Sequence, residues 1–429
     1  MKYLTCFLLI GSLFIRPANA QEDYSFDLSE IEKKAFQFGG YLEARPVFSL
    51  LDRESRFYSL IYYDSEQKKK AMECNFKALL DLSYERGIAK AQIRLNADLN
   101  HSHSDWSQDF DLYEGYLSLK PSLHFHIDIG KKRLKWGKGY AWNPVAFIDN
   151  PKNPFDPDLA LEGFTVISAD YIKSFSGKLR TLTLTGILIP VFKDVNSQLG
   201  RHNTLNYGGK VYSLLFDTDI DLMFLTGPGI SSRYGIDFSR NITSNIEIHG
   251  EGAYRTEYSK RVVDDESALD QKKRDGCSYL LGIRYLTKSN TTFFLEYYRN
   301  GRGYTQKEME DYYSLIDSGY DMYLMSGIED ELDLASSFTG FRTFSPAINY
   351  LFLRILQKEP FNIVYFNPSL TSICNLGDGS FSLVPELLYT PVTDLELRAR
   401  AMFLVGNRGT EFGEKQNNFR LELRIRYYF

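Results

Sequence analysis

From residue 36 onward the chain repeats one pattern: segments of about ten residues in which apolar and polar side chains alternate, separated by turn residues. Successive side chains of a strand point to opposite faces, so each segment has one apolar and one polar face. The final twelve residues show it most clearly. Phe419, Leu421, Leu423, Ile425, Tyr427 and Phe429 alternate with Arg420, Glu422, Arg424, Arg426 and Tyr428. The segments 75–85 and 88–100, joined by Arg86-Gly87, form a similar pair. Lys90, Gln92, Arg94, Asn96, Asp98 and Asn100 make up an entirely polar strand face.

About eighteen such strands are predicted, near 36–48, 73–85, 88–100, 110–120, 123–133, 163–174, 178–190, 203–216 and 219–226. The remainder fall near 232–240, 245–257, 277–287, 291–299, 346–358, 361–373, 380–391, 394–405 and 418–429. Connections alternate in length. Arg86-Gly87, Pro121-Ser122, Ser176-Gly177, Asp217-Thr218, Glu359-Pro360 and Thr393-Asp394 mark tight turns, whereas 49–72, 134–162, 258–276 and 300–345 are long loops. A soluble sandwich gives no reason to sort its connections this way. A membrane-spanning barrel does, with short turns on one side and long loops on the other. The expected fold is therefore all-β: a closed, antiparallel, up-and-down transmembrane β-barrel of about eighteen strands, with sixteen or twenty if one hairpin is missed or split. An even count leaves no exposed edge.

The amino terminus adds an expectation of export. Lys2, the apolar run Leu4–Ile15 and the small-x-small site Ala18-Asn19-Ala20 predict a signal peptide over 1–20, processed through the Sec pathway. A single membrane anchor is the alternative, but the run is short and no stop-transfer flank follows. Residues 21–35 read as a polar periplasmic lead, with a short helix or a frayed tail near Asp27–Ala35, and 36–429 as the barrel. Without Lys2 and Arg16 the chain carries 48 basic and 55 acidic residues, a net charge of −7, which argues against nucleic acid as a partner. Cys74, Cys277 and Cys374 form no C-x-x-C or haem-attachment motif, and no cofactor is expected.

Two stretches resemble known proteins. The closing strand with its terminal Phe429 resembles the last strand of Gram-negative outer-membrane barrels, which implies the barrel-assembly machinery as a partner. Gly130, Arg133, Trp136, Gly137, Asn143 and Pro144 resemble porin-like outer-membrane proteins in which a strand ends in G-[RK]-x-x-x-x-W-G and enters an Asn-Pro-rich loop. Two of the three tryptophans and five basic residues fall within twelve positions there. The resemblance implies a loop that folds inward, with Lys131, Arg133, Lys135, Trp136, Lys138, Tyr140 and Trp142 as constriction candidates. An interfacial aromatic girdle with a capped external loop is the other account of these residues.

Alternation nominates Arg45, Lys90, Arg94, Arg180, Lys210, Arg284, Arg398, Arg400, Arg420, Arg424 and Arg426 as pore-lining cations. Such charges sort solutes, or they form salt-bridge ladders that stiffen the wall. The Arg excess near the closing strands favours anions, while Glu247, Glu251 and Glu296 weigh the other way. Thr305 and Glu308 form a capping-box pattern that predicts one or two helical turns in the loop 300–345. The acids Glu329, Asp330, Glu331 and Asp333 read as a solvated loop. His124, His126 and Asp128 share one strand face, but i, i+2 positions about 7 Å apart are not preorganised for a metal, and no metal site is expected. His249 beside Glu247 and Glu251 lacks a nucleophile motif, so neither an enzyme nor catalytic residues are expected.

The expected function is passive diffusion of small hydrophilic solutes through an outer-membrane channel, possible anion preference included. The alternatives are an exporter of acidic polysaccharide, which needs a continuous basic track, and a structural barrel scaffolding a periplasmic or surface partner. Outer-membrane lipid and lipopolysaccharide are expected neighbours, and a homo-oligomer is an open possibility.

Overall fold

The computed structural model describes residues 35–65, 68–102, 105–157, 159, 162–263 and 269–429. The expected signal peptide and the lead up to Lys34 lie outside the described residues.

Eighteen antiparallel strands form one sheet. They are β1 (Phe36–Leu51), β2 (Lys70–Arg86), β3 (Ala89–Ser102), β4 (Asp105–Leu119), β5 (Phe125–Lys132) and β6 (Phe164–Ser174). Next come β7 (Leu179–Val191), β8 (Thr204–Leu215), β9 (Thr218–Thr226), β10 (Arg233–Asn241), β11 (Ile246–Val263) and β12 (Leu269–Leu286). The last six are β13 (Thr291–Arg299), β14 (Asn349–Gln357), β15 (Phe366–Asn375), β16 (Phe381–Val392), β17 (Leu395–Val405) and β18 (Asn417–Tyr428). Each pairs with its sequence neighbours, and β1 pairs with β18 through Tyr41↔Tyr428, Glu43↔Arg426 and Val47↔Glu422. The sheet is thereby closed, and the seam ends with Gly40 and Phe429 exchanging backbone hydrogen bonds of 3.1 Å in both directions.

Alternation produces two unlike faces. Outward positions carry large exposed apolar side chains along successive strands, among them Leu184 and Leu188, Leu222 and Phe224, Leu281 and Ile283, and Leu423 and Ile425. Water-exposed apolar surface on this scale is rare in soluble monomers. Exposed aromatics collect at both ends of the strands, with Phe36, Tyr84, Phe125 and Tyr285 near the short turns and Trp106, Tyr207 and Tyr234 near the long loops. That is the girdle arrangement of a membrane barrel. Inward positions are polar, and many are buried: Glu43, Asn96, Glu114, Asp221, Asp237, Glu251, Glu296 and Arg424.

The tight turns expected from the sequence all lie at one end. One of them is Phe216-Asp217, whose φ values of 51° and 58° give the left-handed pair that suits strand twist in a two-residue hairpin. The other end differs from expectation in two places. Residues 258–276 are not a loop: β11 and β12 continue as a hairpin that pairs Tyr258 with Arg274 and Val263 with Leu269, leaving 264–268 between them. In 300–345 the capping box forms, but it starts a 21-residue helix, α2 (Gln306–Ser326), not one or two turns. The acids Asp330, Glu331 and Asp333 are the first turn of a second helix, α3 (Asp330–Ser337), where they suit the positive end of the helix dipole. A short helix, α1 (Arg56–Tyr62), lies between β1 and β2.

These helices pack together. Phe57 and Leu60 of α1, Val263 from the β11 tip, Tyr312, Tyr313 and Ile316 of α2, Leu332 of α3, and Phe338 and Phe341 share one apolar cluster. Arg56 joins them by charge, to Asp317 at 2.9 Å and to Glu414 of the β17–β18 loop at 2.7 Å. Loops arising from well-separated strands thus form one cap at the long-loop end.

Candidate pore constriction

The site is built by the segment between β5 and β6. At the end of β5, Gly130 takes φ 130° against Tyr116, where an added Cβ would sit 2.3 Å from the Gly115 carbonyl. The chain then leaves the ladder and lies along the inner face of the wall. Its first anchor is apolar. Trp136 is buried with Val145, Phe147 and Ile148 against Val166, Ile187, Ile189, Met223 and Leu225 of β6, β7 and β9.

Two wall carboxylates form the second anchor. Glu251 of β11 accepts from the Lys138 and Gly139 N–H groups at 2.6 Å each and from Val145 N–H at 3.3 Å. Glu296 of β13 accepts from Tyr140 N–H at 2.5 Å and Ala141 N–H at 2.9 Å. It also shares a 2.9 Å hydrogen bond with His249, whose ring lies 5.3 Å from that of Tyr140. Carboxylates on backbone N–H groups form charge-assisted bonds roughly twice as strong as neutral ones. Gly137 makes this approach possible. Its φ is 94°, and an added Cβ would lie 2.8 Å from a Glu251 oxygen.

The third anchor lies on the closing strands. Asp156 meets Arg424 at 2.5 Å, Arg398 at 3.4 Å and Arg400 at 3.7 Å. Burial pushes its carboxyl upward, but Arg424 and Arg400 outweigh that and hold its pKa below the usual value. One loop is therefore fixed to β11 and β13 by carboxylates on the wall and to β17 and β18 by a carboxylate of its own.

The constriction candidates separate into roles. Lys138 sits 3.0 Å from Asp221; burial lowers its pKa, but Asp221 and Asp237 more than compensate and leave it raised. Arg133 binds Asp149 at 3.0 Å. Tyr140 packs on Phe294 with ring centres 4.5 Å apart. Trp142 is stacked on Tyr298 at 5.0 Å, and its indole N–H donates to Ser345 at 2.9 Å. Trp136 and Trp142 are buried supports of the loop, so neither offers its ring to an open path. Lys135 is exposed at φ 44°. Lys131 is a correction. It pairs in register with Gly115 and Thr165 on the outward parity of β5 and bonds Glu162, while Lys132 faces inward, bonds Asp128 and lies over the Tyr116 ring.

Most nominated wall cations have carboxylate partners. Arg94 bridges Asp81 and Glu114 at 2.5 Å each, Arg284 meets Glu247 at 2.6 Å, and Arg426 meets Glu43 at 2.6 Å. Lys210 is 3.4 Å from Asp221, Arg420 is 3.9 Å from Glu422, and Arg400 is bonded to Glu386. Arg180 does not belong to the wall. It sits at a bulge between Leu179 and Thr181, is 62% exposed and pairs with Asp217 of the adjacent turn. Among the described residues Arg45 and Lys90 have no ion-pair partner, and Arg45 Nε is buried without a hydrogen bond. His126 is held by Ser118 at 2.6 Å and Asp128 at 3.1 Å. Residue-by-residue reading missed Glu251, Glu296 and Asp156 as anchors. The closely spaced Gly137 and Gly139 were the available signal, since paired glycines admit close approach of another group.

No sequence family and no curated protein matches the chain. Solved structures do. OccAB1 of Acinetobacter baumannii is 11% identical over 92% of this chain and 97% of that one, with a TM-score of 0.54. OccK7 (OpdD) of Pseudomonas aeruginosa is 11% identical over 92% and 99%, with a TM-score of 0.53. OpdQ of Pseudomonas aeruginosa is 12% identical over 92% and 99%, with a TM-score of 0.52. At these identities the likeness is one of fold, and that fold is a porin-like barrel of eighteen strands.

Proposed function

We propose that this protein is an outer-membrane channel through which small hydrophilic solutes diffuse passively, with the β5–β6 loop setting the narrowest passage. The observation that carries the reading is the attachment of that loop at Glu251, Glu296 and Asp156 inside a closed barrel whose outer face is apolar. A barrel of about eighteen strands encloses room for an aqueous path, and a loop held across it narrows that path. The fold shared with OccAB1, OccK7 and OpdQ supports the same reading.

The acidic-polysaccharide alternative needs an unbroken basic track. The wall cations are interleaved with carboxylates instead, as in Arg94 with Glu114, Arg400 with Glu386 and Arg426 with Glu43, so the diffusion channel is preferred. For the same reason, any anion preference rests on cations that lack such partners and not on the Arg-rich closing strands. The test is planar-bilayer recording of the refolded full chain. Discrete conductance steps are expected, and a purified, folded barrel that passes no current contradicts the reading in favour of a scaffolding sleeve.

A further inference from the structure

Three arginines outside the nominated set converge on one cavity. Arg233 opens β10 and Arg255 is its register partner on β11, both on the inward parity. Arg302 enters from the segment after β13. Together with Asn143, Ser278 and Tyr298 they line a cavity of about 270 Å³ between the inward loop and the long-loop end of the wall. None of the three has an ion-pair partner among the described residues. Asp149, the one carboxylate among the described residues that line the cavity, is already bonded through both oxygens to Arg133 at 3.0 and 3.1 Å.

What holds the arginines is weak for three like charges. Arg233 donates to the Phe147 carbonyl at 2.8 Å, and its Nε is buried with no partner. The Arg255 guanidinium lies over the Phe147 ring at 5.6 Å. Uncompensated charge in a partly desolvated site is unfavourable. Guanidinium forks match carboxylate and phosphate oxygens in a bidentate way. Among the described residues most other interior cations are neutralised by wall carboxylates, and Arg45 and Lys90, which are not, stand singly; here three unpaired guanidinium groups share one cavity.

We propose that Arg233, Arg255 and Arg302 form a binding site for the carboxylate or phosphate group of a small organic anion, on the long-loop side of the constriction. The cavity lies just below the roughly 300–1,000 Å³ typical of ligand pockets, which suits a single small acid. The site deepens the channel reading and rests on it: a solute held there is positioned immediately before the narrow loop.

Titration calorimetry on the refolded full chain in detergent tests this with gluconate, glucose and glucosamine, which are similar in size and differ in charge, and with inorganic phosphate. Saturable binding of gluconate is expected, with glucose and glucosamine at least tenfold weaker. Arg255→Gln and the loop variant Arg302→Gln should each weaken gluconate by about tenfold to a hundredfold, as loss of a charge-assisted hydrogen bond does. Saturation by phosphate as well as gluconate assigns the site to any small oxyanion; gluconate alone assigns it to carboxylates. Equal affinity for gluconate and glucose, or unchanged affinity in both variants, overturns the proposal. Bilayer current separates the two readings. Current without anion-selective binding removes the site and leaves the channel, whereas anion binding without current retains the site and removes the channel.

Discussion

Glu251 accepts three backbone hydrogen bonds from a single loop, and Glu296 accepts two. Each such bond to a charged group contributes about 1.5–3 kcal/mol, so Glu251→Ala or Glu296→Ala should loosen the loop, still held by its apolar and Asp156 anchors, without opening the barrel. The expected outcome is larger and noisier single-channel current with unchanged strand content by circular dichroism. Asp156 behaves differently with pH. Its folded pKa is depressed, so the stability it adds is complete above the unfolded value of about 3.9 and is lost only as pH falls through the lower folded value. The conductance difference between the intact chain and Asp156→Asn should therefore stay constant from neutral pH down to about that unfolded value and shrink at lower pH, because Asn mimics the protonated side chain. At this scale the sequence showed which way most side chains face, because alternation is local. It did not show that Arg400 would find Glu386 or that Arg424 would find Asp156, since those pairings depend on register and on a loop that returns across the interior.

The cap is an assembly of elements whose parts were unequally legible. Thr305 and Glu308 marked where α2 begins, and the structure shows both reciprocal capping bonds. Thr305→Ala should cost about 0.5–2 kcal/mol of local stability, read as faster amide exchange over the first turn of α2. The length of that helix was hidden because its buried face, including Tyr312 and Ile316, packs on α1, far earlier in the chain, as well as on the neighbouring α3. The extension of β11 and β12 was hidden for another reason. Beyond Arg255 and Gly276 these two strands pair only with each other, so no lipid or lumen imposes alternation there.

A pH effect belongs to the same cap. Burial pushes the Glu411 carboxyl up to about 7 and lowers the nearby Lys415 ammonium. Glu411 accepts from Tyr350 O–H at 2.5 Å and from the Asn375 amide at 3.0 Å. Because its folded pKa lies above the unfolded one, the folded loop binds more protons between about 4.3 and the raised value, and its stability falls as pH rises through that window. Amide exchange around 406–416, corrected for its intrinsic pH dependence, should quicken between pH 5 and pH 8, and Glu411→Gln should remove that response.

For the whole molecule, the alternating pattern and the sorting of connections were sufficient to indicate eighteen strands and closure, because every strand of a membrane barrel must satisfy the same two-faced environment. The interior was less legible, because an aqueous lumen accepts either sign of charge at any position and the loop inside it follows no period. The central claim is that this barrel is a conduit narrowed by one inward loop, and single-channel recording of the intact chain beside a variant lacking 138–158 addresses it most directly. Defined conductance steps in the intact protein and clearly larger steps in the shortened one are predicted; equal conductance in the two, or none in either from folded protein, would contradict the account.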